Sequence, residues 1–171
     1  MPKQVMVLDS SPLVALATAG VLERVLGSGE KVLITPEVDS EVVADGHRKG
    51  FPDADVVKHL LQKGKISIVK AHRSTSMRRL LENPRLSRAD ATSLSLAIEK
   101  GARLNADDSD LRFAARSMGI ALGWSLSLLA AAVDSGVMTR EEAVAAVDRK
   151  IAAGWYCPTL LYNGFVHRIV D

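Results

Sequence analysis

Three short apolar runs, each followed at once by a helix-starting signal, restrict the fold of this chain more than any other feature of it. Val5-Met6-Val7-Leu8 stops at Asp9-Ser10-Ser11-Pro12, Lys31 to Ile34 stops at Thr35-Pro36, and Ala102 to Ala106 runs into Asp107-Asp108. Runs of this length and β-favouring character read as strands, while Ser, Thr or Asp caps and a Pro in the first turn open helices. Strands that repeatedly feed helices lie parallel, with the helices covering both faces of the sheet. The pattern therefore predicts an α/β fold, a three-layer α/β/α sandwich around a central parallel sheet.

The remaining elements follow the same logic. The first helix is expected from Pro12 to Ala19, closed by Gly20, and a polar break at residues 46–52 separates the second helix from a third over Ala54 to Gln62. Ile66 to Val69 reads as a strand, and Ala71 to Pro84 as a polar, basic stretch with at most a short helix. Ser87-Arg88-Ala89-Asp90 is a capping-box pattern that opens a helix reaching Lys100 and closing at Gly101. A helix from Asp108 to Gly119, a strand at Ile120 to Leu122, and helices over Ser125 to Ser135 and Arg140 to Ala153 complete the order.

With 171 residues, 47% of them apolar, the chain is long enough for one well-buried core and short for two. Residues 1–171 are expected to form a single domain, with a helical segment from about 125 to 171 packed on it. Charges interrupt every apolar run before the roughly 18 residues that cross a bilayer, so neither a membrane span nor a signal peptide is expected. Cys157 is the sole cysteine, which excludes an internal disulfide and fits a reducing cytoplasm. The four histidines show no paired ligand spacing, so no zinc site is read. Trp155, Tyr156, Tyr162 and Phe165 are expected to pack the last helices against the sheet.

In a parallel α/β sheet, loops converge and helices begin beyond the carboxyl ends of the strands, where ligands bind. Asp9 and the Asp107-Asp108 pair follow predicted strands directly. Glu41 falls about one and a half turns into its helix, and Asp90 falls in the first turn of its own. All four positions can face one edge. Each acid also has a purely structural use: Asp90 as the third position of the capping box, Asp108 as a cap for the helix from Ser109, Glu41 as a solvated helix residue. Clustered carboxylates repel one another and oppose folding unless a cation joins them. All-oxygen ligation suits Mg²⁺ or Mn²⁺, which can activate water and neutralise charge on a phosphodiester.

The net charge of +2 hides a strong asymmetry. From Lys63 to Arg88 eight basic side chains stand against the single acid Glu82, while the rest of the chain holds 14 basic and 19 acidic residues. Such a run is either a solvated face or a phosphate-binding rim, with Arg73, Arg78, Arg79, Arg85 and Arg88 as its candidate contacts.

Taken in order, Val7-Leu8-Asp9-Ser10-Ser11-Pro12-Leu13, Pro36-Glu37-Val38-Asp39-Ser40-Glu41-Val42, Ala89-Asp90-Ala91-Thr92-Ser93-Leu94 and Ala106-Asp107-Asp108-Ser109-Asp110-Leu111 resemble the PIN-domain family, which includes the ribonucleases of VapC-type toxin–antitoxin pairs. The resemblance runs to about Phe165, and the segment from Gly123-Trp124-Ser125-Leu126 to Gly136-Val137-Met138 is similar to a prokaryotic PIN subgroup. It implies Mg²⁺- or Mn²⁺-dependent cleavage of RNA, with Asp9, Glu41, Asp90 and Asp108 as the catalytic, metal-binding acids and Ser11 supporting the first. Asp107 is the substitute for Asp108 as ligand. A homodimer and neutralisation by a small antitoxin are further implications. The chain departs from its relatives in having Ala106 where many have Thr, and Ser87-Arg88-Ala89-Asp90 where many of the subgroup have Gly-Glu-x-Glu. These departures keep a second reading in view, a PIN-fold protein that binds nucleic acid or regulates without cleaving. A third, a signalling domain phosphorylated on Asp9, lacks the lysine expected after the late strands.

Overall fold

The computed structural model describes residues 4–170. The chain runs β1 (Val5–Leu8), α1 (Ser10–Thr18), α2 (Leu22–Val25), a 3₁₀ turn (Leu26–Ser28), β2 (Lys31–Ile34), α3 (Pro36–Asp39), a π-helical turn (Ser40–Ala44), α4 (Asp45–Lys49) and α5 (Asp53–Gln62). It continues through β3 (Ile66–Ile68), α6 (Thr75–Leu81), α7 (Arg88–Lys100), β4 (Arg103–Asn105), α8 (Ser109–Ser117), β5 (Leu122–Gly123), α9 (Ser125–Asp134), α10 (Arg140–Ala152) and α11 (Thr159–Val170). The five strands pair in the order β3-β2-β1-β4-β5, all parallel, with helices on both faces, as the strand–helix alternation requires.

Successive side chains of a strand point to opposite faces, so each buried strand feeds two cores. On β1, Met6 and Leu8 join one apolar cluster while Val7 joins the other; on β2, Val32 and Ile34 separate from Leu33 in the same way. The first cluster packs under α1, α5, α9, α10 and α11, and the second under α6, α7 and α8. The helices after residue 125 thus seal one face of the sheet with Leu126, Leu129, Val147 and Phe165. Deleting a side chain such as Leu8, fully buried at the centre of the sheet, would cost about 2–5 kcal/mol.

Three local expectations are corrected. The first helix starts at Ser10, so Pro12 is its third residue rather than its first. That position still lies in the first turn, where a proline's missing N–H removes no helical bond. The last strand lies at Leu122–Gly123, because its partner β4 ends at Asn105 and the pairing Leu104 with Leu122, Asn105 with Gly123 fixes its register. Of the four C-terminal aromatics, Phe165 is buried and Trp155 and Tyr162 pack against the core, but Tyr156 is 83% exposed and supports nothing.

Strand order reverses at the centre of the sheet. From β1 the chain steps outward to β2 and β3, then returns to the far side of β1 for β4 and β5. Loops leaving β1 and β4 therefore diverge, and a crevice opens between them at the carboxyl edge. The backbone N–H of Asp9 donates to the carbonyl of Asn105 at 3.0 Å, which locks the floor of that crevice.

Candidate metal centre

Three helix starts and one π-helical turn deliver acids to this crevice. Asp9 directly follows β1 and is 3% exposed. Its carboxylate accepts from the Ser93 hydroxyl at 3.3 Å and from the Ser11 hydroxyl at 3.4 Å. The Ser11 oxygen in turn accepts the backbone N–H of Asp107 at 3.1 Å, so one hydroxyl joins the loop after β1 to the loop after β4. Burial and the neighbouring negative charge of Asp90 push the Asp9 carboxyl up to about 7, against the opposing pull of the Ser10 and Ser11 amides; Glu41 adds a smaller push upward.

Glu41 sits in the π-helical turn, which continues α3 into α4 without a break. A π turn carries one residue more than an α turn and is frequent at functional sites. The exposed Glu41 carboxylate accepts from the Ser10 hydroxyl at 3.0 Å. Thr35 caps α3 through the N–H of Val38, and its hydroxyl meets that of Thr92 on α7 at 3.1 Å in a fully buried contact. That contact ties the helix bearing Glu41 to the helix bearing Asp90.

Asp90 fills the capping box read from the sequence: it accepts the N–H of Ser87 at 2.7 Å, while the Ser87 hydroxyl accepts the N–H of Asp90 at 3.1 Å. Asp108 caps α8 by accepting the N–H groups of Asp110 and Leu111, both at 2.9 Å on Oδ1. Both structural uses are therefore real. Each cap engages a single carboxylate oxygen, Oδ2 of Asp90 and Oδ1 of Asp108, and a carboxylate has two.

Asp9, Glu41, Asp90, Asp107 and Asp108 line one cavity of about 540 Å³ together with Ser10, Ser11, Ser87, Lys150 and Trp155. The two adjacent acids differ sharply. Asp107 accepts the N–H and the hydroxyl of Ser125, both at 2.8 Å, and the ammonium of Lys150 at 2.8 Å. Lys150 is 4% exposed and lies over the Trp155 ring, 3.5 Å from its centre. Burial lowers the Lys150 pKa, and the Asp107 charge works against that shift. Arg112 closes the same edge of the sheet: it donates to the carbonyls of Ala106 and Gly123 at 3.0 and 2.9 Å and stacks on Trp124.

Sequence reasoning named the acids and Ser11 but passed over Ser93, Lys150 and Trp155. Ser93 stands three residues after Asp90 on the same helix and reads there as an ordinary helical serine. Nothing in the local pattern of α10 marks Lys150, whose burial is decided by packing alone.

Of the basic candidates, all five are exposed. Arg88 lies beside Glu41 and Ser87 in a shallow depression next to the acidic cavity and pairs with Glu37 at 3.6 Å. Arg85 pairs with Asp110 at 3.6 Å. Arg78 and Arg79 project from α6, which Ser74 caps, and Arg73 lies just before it.

Among the described residues, no three His, Cys, Asp or Glu side chains stand close enough, as placed, to ligate one ion. The donor chemistry nevertheless fits a hard divalent cation. Every acid in the cavity offers oxygen, the Asp9 carboxyl is raised by burial first and by its acidic neighbours second, and a cation offsets that cost.

Comparison with known proteins places these observations. A family model described as PIN domain matches residues 5–170. A PilT N-terminus domain protein from the hyperthermophilic archaeon Sulfolobus solfataricus P2 superposes with a TM-score of 0.53 over 76% of this chain and 94% of that one, at 20% identity. That likeness concerns the fold. No curated protein matches the chain.

Proposed function

The chain belongs to the PIN-domain family, a nuclease-type fold, and on that footing we propose that it is a Mg²⁺- or Mn²⁺-dependent endoribonuclease. The observation that carries this reading is the convergence of Asp9, Glu41, Asp90 and Asp108 on one cavity at the point where strand order reverses. Asp9, Asp90 and Asp108 are the metal ligands in this proposal, with Glu41 at the open side. A divalent cation bound among them would activate a water and neutralise charge on the scissile phosphodiester.

The protein's own groups do the positioning. Ser93 and Ser11 fix the Asp9 carboxylate from two sides, and Ser10 steadies Glu41. Capping holds Asp90 and Asp108 at the mouths of their helices, so ligand position is tied to helix position rather than to a free side chain. Arg88, beside the cavity, would meet a backbone phosphate, and the exposed Arg73, Arg78, Arg79 and Arg85 are the further phosphate contacts in this reading.

A toxin role, with a small antitoxin reaching into the cavity, together with a homodimeric state and a cytoplasmic site of action, belongs to the same reading. It rests on membership of a family that includes toxin ribonucleases rather than on any contact. Among the described residues no helix is long and apolar enough to cross a membrane.

One observation favours the second reading, nucleic-acid binding without cleavage: Asp90 and Asp108 both serve as helix caps, and the acids are not gathered in advance around an ion. The two readings part in a single assay. Purified protein incubated with unstructured RNA is expected to cleave it with Mg²⁺ or Mn²⁺ and to stop on addition of chelator. Cleavage that survives chelation defeats the metal-dependent proposal, and retention of RNA without cleavage in either cation establishes the binding module.

A further inference from the structure

The metal-dependent reading leaves one buried charge in the cavity without a task. Lys150 comes from α10, far along the chain from every acid, yet its ammonium is 4% exposed inside the cavity wall. An ammonium has three N–H donors, and three partners surround this one: Asp107 Oδ2 at 2.8 Å, the Ser125 hydroxyl, and the face of Trp155 at 3.5 Å. No donor is left to reach a substrate phosphate. Both oxygens of Asp107 are engaged, Oδ1 by the Ser125 N–H and Oδ2 by the Ser125 hydroxyl and Lys150.

A second divalent ion in such a site would lie about 3.5–4 Å from the first and would draw on a further carboxylate. Beyond the three ligands of the first ion the cavity offers Glu41 at its open side and Asp107, which adjoins Asp108 in the chain and could serve that second ion. Instead Asp107 is bound by a resident cation whose charge also repels an incoming ion at short range.

We infer that Lys150 is a built-in counter-cation that withholds Asp107 from metal, so that the acidic cavity takes one divalent ion where its carboxylates would otherwise hold two. Lys150 is thus a positioning residue, and Asp107 anchors the start of α9 through Ser125 while Asp108 remains the ligand. This rests on the metal-dependent reading above, and the test separates the two.

The experiment is calorimetric titration of Mn²⁺ into the full chain without RNA, with circular dichroism to check folding. Wild type is expected to bind one ion. The paired variant Lys150→Met with Asp107→Asn replaces the buried ion pair by neutral groups, an exchange that folds commonly tolerate. It is expected to bind one ion with an affinity within about threefold of wild type. Lys150→Met alone, which frees Asp107, is expected to bind a second ion. Two ions on wild type, a tenfold or greater loss of affinity in the paired variant, or a single ion on folded Lys150→Met each overturn the inference while leaving a metal-dependent nuclease standing. Absence of Mn²⁺ binding by wild type removes both.

Discussion

Ser93 and Asp9, 84 residues apart in the chain, are joined by a hydrogen bond from Ser93 Oγ to Asp9 Oδ1 at 3.3 Å. Through it the helix that carries Asp90 also orients the first acid, so the two are set by one rigid element. Groups that orient a metal ligand from behind typically change affinity or activity by about 10–100-fold when removed. Ser93→Ala is expected to weaken Mn²⁺ binding and RNA cleavage by at least about tenfold with the fold retained. Ser11→Ala is expected to do the same, because Ser11 holds both Asp9 and the N–H of Asp107. Unchanged Mn²⁺ affinity in both variants would show that Asp9 needs no such support.

The raised Asp9 carboxyl gives a pH dependence of known sign in metal-free protein. Its value in the fold, about 7, lies above its ordinary 3.8, so folding favours the protonated form. The stabilisation is complete below about pH 4 and is lost as pH rises through 7. Metal-free protein is therefore expected to be less stable at pH 8 than at pH 5, by on the order of a few kcal/mol, and so to melt at a lower temperature. Asp90→Asn removes the neighbouring charge and is expected to shrink the difference, and added Mn²⁺ to abolish it. The lowered carboxyls of Glu99 and Glu142, both at about 2, act in the opposite sense but only below their ordinary 4.5, outside this window. Melting temperatures that rise from pH 5 to pH 8 would contradict the account of the cavity.

Most of the layer structure and the five cavity acids were legible in the sequence because their causes are local. A strand that ends in Asp-Ser-Ser-Pro announces both the strand and the helix after it, and the capping box at Ser87 and Asp90 forms as read. Glu41 was placed on a helix, but its turn is a π turn, and the extra residue leaves no mark in the apolar periodicity. The choice between Asp107 and Asp108 was open because what sets the two apart, the bonds of Asp107 to Lys150 and Ser125, comes from residues 43 and 18 positions further on. A buried lysine reads in sequence as any exposed helical lysine does.

The basic face is tested by salt. Each arginine that contacts phosphate on a single strand contributes about −0.7 to the slope of log affinity against log salt. Arg78→Ala with Arg79→Ala is expected to weaken RNA binding and to reduce the magnitude of that slope by about one to one and a half, leaving Mn²⁺ affinity unchanged. A slope equal to wild type would assign both side chains to the solvated surface.

Gly123 ends β5 because Asn105 fills the space beside it. A Cβ at residue 123 would lie 2.0 Å from Asn105 Oδ1, and Asn105 is fully buried. Gly123→Ala is expected to destabilise the protein by about 1–3 kcal/mol, with a melting temperature several degrees lower. Because Asn105 accepts the N–H of Asp9 through its carbonyl, Mn²⁺ affinity is expected to fall as well. A variant as stable as wild type would mean that Asn105 turns aside freely.

The central claim, that acids far apart in sequence share one cation and cleave RNA with it, is tested most directly by single-turnover cleavage of RNA in Mn²⁺ by wild type and by Asp90→Asn. Asparagine keeps an oxygen for the cap on α7, so the helix stays in place while the ligand charge is lost. The account predicts cation-dependent cleavage by wild type and a loss of at least about a hundredfold in the variant, with circular dichroism unchanged. Cleavage by folded Asp90→Asn at the wild-type rate would contradict it.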